Sequence, residues 1–111
     1  MKDEHLKNLI DAIQAAEEIR QFTQNLNFDG YKENKIIQRA VERNFEIIGE
    51  PLNRFRKDEP ESIKKISDHE RIIGFRNILI HGYDIIDEAI VWDAVKDHLP
   101  VLMKQIKGLI E

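Results

Sequence analysis

The chain has 111 residues, of which 41% are hydrophobic and 34% charged, with a formal net charge of −4. That length supports one compact domain and excludes two, and the acidic balance excludes non-specific nucleic-acid binding through the whole surface. The absence of cysteine excludes disulfides, thiol nucleophiles and zinc–thiolate sites, and no apolar run approaches the roughly 20 residues of a membrane span.

The first helix is expected from about Asp3 to Leu26. Leu6, Leu9, Ile13, Ala16, Ile19, Phe22 and Leu26 recur every three or four residues and form one helical stripe. Asn27-Phe28-Asp29-Gly30 then reads as a turn. The second helix is expected from about Glu33 to Lys57, with Ile37, Val41, Asn44, Ile48, Leu52 and Phe55 as its main stripe. Ile36, Ala40, Phe45 and Ile47 widen that stripe, so this helix should touch more than one neighbour. Pro51 removes one backbone donor inside it, two residues after Gly49, and predicts a kink rather than a stop.

Asp58-Glu59-Pro60-Glu61-Ser62 reads as a loop, followed by a short helical turn through Ile66. Ser67 or Asp68 is placed to cap a third helix containing Ile72, Ile73, Phe75, Ile78, Leu79 and Ile80. A helix so apolar on every side belongs in the centre of the domain or in a subunit interface. Gly82 supplies its end. A fourth helix starts near Asp84 or Asp87 and carries Ile90, Val91, Trp92, Ala94 and Val95. Pro100 breaks or kinks the chain and suits the first turn of a last helix with Val101, Leu102, Ile106, Leu109 and Ile110. Short connections make neighbouring helices antiparallel. The expected fold is therefore all-α: an antiparallel four-helix-type bundle with an additional C-terminal helix, one domain over residues 1–111.

Charge is unevenly spread along these elements. Residues 32–57 hold Lys32, Lys35, Arg39, Arg43, Arg54, Arg56 and Lys57 against Glu33, Glu42, Glu46 and Glu50, a balance of +3. Residues 84–99 hold Asp84, Asp87, Glu88, Asp93 and Asp97 against Lys96, a balance of −4. Most of these charges fit ordinary solvated helix faces.

The residues that invite a chemical reading are Arg76-Asn77-Ile78-Leu79-Ile80-His81-Gly82-Tyr83. An Arg and a His are costly to bury in an apolar helix. RNA cleavage without a metal needs a group that moves protons near neutral pH and a group that holds phosphate charge. His81 and Arg76 are those two types. On an ideal helix their separation is about 7.5 Å of rise and about 140° of rotation, a poor grip on one phosphate. Two copies across a two-fold axis would let each Arg reach the other copy's His. Asn77 could orient the phosphate or the His, and Glu46 and Glu50 are candidate partners for Arg76. Spacing taken alone favours a structural role instead. An Arg in an apolar helix is commonly salt-bridged, a His before Gly commonly a capping group, and Tyr83 a helix-end contact.

The octapeptide resembles the signature of HEPN-domain proteins of the HepT type. The likeness extends to Arg39-Ala40-Val41-Glu42-Arg43-Asn44-Phe45-Glu46-Ile47-Ile48-Gly49-Glu50, to Ile90-Val91-Trp92-Asp93-Ala94-Val95 and to Leu99-Pro100, in the right order over most of the chain. Pro51 departs from the pattern, where a small helix former is expected. The resemblance implies a HEPN-like, homodimeric, metal-independent ribonuclease that is the toxin of a toxin–antitoxin pair. It implies Arg76 and His81 as catalytic residues, with Asn77 at the polar position that follows the Arg and no metal or cofactor; Glu50 stands in support as a candidate partner of Arg76. It implies a minimal nucleotidyltransferase antitoxin as partner, which transfers AMP units to Tyr83, making the protein a nucleotide-modified phosphoprotein. Transfer RNA and messenger RNA both stand as substrates. The alternative is a non-catalytic, nucleotide-binding or regulatory partner of a nucleotidyltransferase. Met1-Lys2-Asp3-Glu4-His5 lacks the apolar core of a signal peptide, so the expected location is the cytoplasm, with no membrane partner.

Overall fold

Asp3–Thr23 forms helix α1, Phe28–Lys32 a short α2, Lys35–Asp58 α3, His69–Ile80 α4, Glu88–Asp93 α5 and Leu99–Ile110 α6. A 3-10 turn, Ser62–Lys65, stands between α3 and α4, and a π-helical turn, Ala94–His98, between α5 and α6. The structure is a computed structural model and describes residues 1–80 and 86–111, which contain no strand. The all-α expectation holds. α1 and α4 both pack on α3, α6 returns onto α1, and α2 bridges α3 and α5.

α1 ends three residues before the expected Leu26. The Thr23 hydroxyl donates to the Ile19 carbonyl at 2.8 Å, which takes up an end-of-helix acceptor. The Asn27 side chain then accepts from the Gly30 amide at 2.8 Å and starts α2, so the expected turn is a capped short helix. The buried face of α1 also sits slightly off the expected stripe. Ala12, Ala15 and Ala16 are buried with Leu9 and Ile19, while Phe22 lies on the exposed side. Small side chains let α1 approach α3 closely, and the larger residues flank that contact.

α3 follows its expected stripe. Val41, Ile48, Leu52 and Phe55 are buried, and Phe45 is buried against Phe75 of α4 with ring centroids 5.1 Å apart. Asn44 is buried in the same stripe, and its amide donates to the Ala15 carbonyl at 3.1 Å and to Glu18 Oε1 at 2.8 Å. That satisfied polar link fixes the register of α3 on α1. Ile36 and Ile47 remain exposed.

Asp68 directly precedes α4 and its carbonyl accepts from the Ile72 amide at 3.0 Å, closing the first turn, while the side chains of Ser67 and Asp68 reach toward Gln105 and His98. Asp68 Oδ2 lies 2.9 Å from His98 Nδ1, and the Ser67 amide donates to Gln105 Oε1 at 3.0 Å. α4 itself buries Ile72, Ile73 and Leu79, whereas Ile78 is 46% and Ile80 49% exposed. The all-round apolar character of this helix is therefore only half used inside one chain. Asp87 caps α5 by accepting from the Ala89 amide at 2.9 Å; Asp84 lies outside the described residues. Pro100 stands in the first turn of α6 without breaking the chain. The Leu99 amide bonds to the Ala94 carbonyl five residues back, and this wider turn accommodates a residue with no amide hydrogen. The fourth and last helices thus join end to end.

Burial pushes the Tyr31 phenol well above its usual range and raises the Glu42 carboxyl. Both lie where α2 and α5 meet α3, and Tyr31 stacks on Trp92 with centroids 5.2 Å apart. These shifts follow from packing at that corner.

Candidate active site

α4 meets α3 at Gly49. A β-carbon on Gly49 would lie 2.3 Å from Arg76 Cβ and 2.8 Å from Arg76 Cγ, with the Ile72 carbonyl oxygen at 3.5 Å. Only a hydrogen fits there. The close approach of Arg76 requires this glycine. Pro51 is buried within α3, which stays helical through it.

This approach brings Arg76 beside Glu50. Arg76 Nη2 donates to Glu50 Oε2, and Nη1 donates to Asn77 Oδ1 at 2.7 Å. The Arg76 side chain is 21% exposed, and its buried Nε has no partner among the described residues. The other oxygen of Glu50 faces a second guanidinium, with Arg54 Nη1 at 3.4 Å. Arg54 Nη2 in turn donates to Asn8 Oδ1 on α1 at 3.2 Å. Glu46 is not drawn into this cluster; Arg43 Nη1 donates to it at 2.9 Å.

Arg54, Glu50 and Arg76 together carry a net charge of +1. A guanidinium that shares its carboxylate with another cation is less fully neutralised than one in a private ion pair. It keeps donors for an incoming anion of matching geometry, such as a phosphate. A groove of about 410 Å³ opens beside the cluster, and its wall carries Arg43 and Arg54 together with the carboxylates Asp11, Glu18, Glu46 and Glu50. Among the described residues no three His, Asp or Glu side chains converge as a metal-ligand set.

Of the residues singled out from sequence, Arg76, Asn77 and Glu50 come together. His81 and Tyr83 lie outside the described residues, so the Arg–His geometry rests on spacing. Sequence reasoning missed the roles of Gly49, Arg54 and Asn8. Glu50 and Arg54 stand four apart on one helix, a legible pairing signal. Gly49 against Arg76 and Asn8 against Arg54 are contacts between helices, which spacing does not reveal.

A sequence model described as "Ribonuclease HepT-like" matches residues 12–109. A protein of Methanocaldococcus jannaschii named "Putative RNase MJ1380" is 34% identical, over 89% of this chain and 90% of its own length. One from Thermococcus cleftensis named "Probable ribonuclease HepT" is 32% identical over 98% of each chain. A third, "Putative RNase TTE0752" from Caldanaerobacter subterraneus, is 29% identical over 89% of this chain and 88% of its own. No solved structure matches.

Proposed function

The chain belongs to the ribonuclease HepT-like family, and on that premise we propose that it is the toxin of a toxin–antitoxin pair, a homodimeric ribonuclease that needs no metal and is silenced by AMPylation of Tyr83. Membership makes it a ribonuclease of the HepT type. The finer reading is carried by one observation. Arg76 is held by Glu50 yet part-exposed on α4, five positions before His81 in the family's motif.

In this reading Arg76 holds a non-bridging phosphate oxygen of RNA and offsets the charge that builds on it. His81 accepts the proton of the 2′-hydroxyl. The 2′-oxygen bonds to phosphorus, the bond from phosphorus to the 5′-oxygen breaks, and that oxygen takes a proton from water while His81 returns its own to solvent. The products are a 2′,3′-cyclic phosphate and a 5′-hydroxyl. The pair works best as a composite of two copies, because five positions on an ideal helix would turn two side chains about 140° apart. The exposed Ile78 and Ile80 on α4 supply apolar area for such a dimer. Cleavage of RNA by the purified protein should persist in excess chelator. Loss of cleavage on chelation, with recovery on adding a divalent cation, would end the metal-independent reading.

A cognate minimal nucleotidyltransferase is the proposed antitoxin. Each AMP placed on Tyr83 adds a phosphodiester charge and a bulky base beside the site, which would exclude RNA by occupancy and repulsion. Co-expression with that enzyme should add AMP-sized mass increments to the intact protein. The increments should vanish in Tyr83→Phe; persistence in that variant would move the modification elsewhere.

A further inference from the structure

We infer that Arg54 is a positioning residue that occupies the second oxygen of Glu50, so that Arg76 is paired to one oxygen only and stays able to take a phosphate. The inference rests on the assignment of Arg76 to the phosphate. Glu50 presents one oxygen to each guanidinium: Oε2 accepts from Arg76 Nη2, while Oε1 lies 3.4 Å from Arg54 Nη1. Arg54 is anchored from behind, because Nη2 donates to Asn8 Oδ1 at 3.2 Å and Asn8 is buried on α1. The planar fork of an arginine can bond Asn8 and Glu50 at once through separate nitrogens. A lysine presents one point charge and cannot span both in the same way.

The consequence is electrostatic. With Arg54 in place, two cations divide one carboxylate between them. Without it, both Glu50 oxygens are free to turn onto Arg76 and form the fork-to-fork pair that most fully neutralises a guanidinium. An RNA phosphate would then have to displace a tighter competitor. Arg54 is therefore expected to act through Glu50, and its influence should disappear once Glu50 has no charge.

A double-mutant cycle reads this out, with RNA cleavage kinetics and the circular dichroism spectrum recorded for each variant. Arg54→Met in the native background should raise KM for RNA by about three- to fivefold, the upper range for an exposed pair, with a smaller change in kcat. In the Glu50→Gln background the same change should alter KM by less than about twofold. Arg54→Lys should recover only part of the loss. A KM penalty for Arg54→Met that is equally large in both backgrounds would overturn the inference, since Arg54 would then act on RNA directly or on the fold. No penalty in the native background would overturn it too. Arg76→Ala separates the two levels: cleavage that survives Arg76→Ala sinks the site assignment itself, whereas cleavage that needs Arg76 but shows an additive cycle sinks only the role of Arg54.

Discussion

Arg76→Ala is expected to lower RNA cleavage by about 10²–10³, the usual cost of removing one donor to a charge that develops in the transition state. His81→Ala should cost about 10²–10⁴, the range for losing a positioned proton carrier. Neither change should unfold the protein. Arg76 leaves Glu50 with Arg54 as a remaining partner, and its own Nε makes no bond among the described residues. Thermal melts should therefore shift little while activity collapses. Mixing the two inactive variants gives a sharper outcome. If the site is composite, a dimer of one Arg76→Ala and one His81→Ala subunit keeps one intact Arg–His pair. Random exchange should then restore about a quarter of native activity, since half the dimers are mixed and each has one working site of two. No recovery in a verified mixed dimer would place Arg and His in the same chain's site. Full activity in either single variant would remove the substituted residue from the chemistry.

The second large effect is expected at Gly49. Ala is normally the better helix former by about 1 kcal/mol. Here its methyl would meet Arg76 Cβ at 2.3 Å and Cγ at 2.8 Å, atoms too close to the α4 backbone to swing aside. α3 and α4 must separate by roughly 1 Å to restore ordinary contact near 3.5 Å. Overpacking of this kind costs about 1–3 kcal/mol, which outweighs the propensity gain. It also shifts Arg76 against Glu50, and a displacement of about 1 Å at a positioned group can cost about 10² in rate. Gly49→Ala should thus lower both the melting temperature and the cleavage rate. Gly108→Ala serves as the control, because nothing lies within 4 Å of its added β-carbon. That change should be neutral or stabilising with activity intact. A Gly49→Ala protein as stable and active as the native one would mean the helices separate freely and the close approach does not set the site.

Elements governed by local signals are legible in the residue pattern itself. The α3 stripe Val41, Ile48, Leu52 and Phe55 was readable because burial follows helical period directly. The start of α5 was readable only as near Asp84 or Asp87, and the structure opens it with Asp87, whose side chain accepts from the Ala89 amide within one turn. The end of α1 was less so. Thr23 and Asn27 stop and restart the chain through side-chain bonds that compete with an apolar pattern running on to Leu26. Pro100 suggested a break, and the π turn that absorbs it depends on which carbonyl the Leu99 amide finds once the helix is packed.

The candidate site divides in the same way. Residue order along the chain was enough to mark Arg76 with His81, to name Glu46 and Glu50 as candidate partners and to identify a family, because a motif is a one-dimensional spacing of chemical types. Tertiary packing alone settled that Glu50 and not Glu46 meets Arg76, that Gly49 makes room for that meeting, and that Arg54 reaches the same carboxylate from a foothold on Asn8. Those are contacts between helices 26 and 46 positions apart, and their distances depend on how closely three helices approach, which no periodicity within one helix encodes.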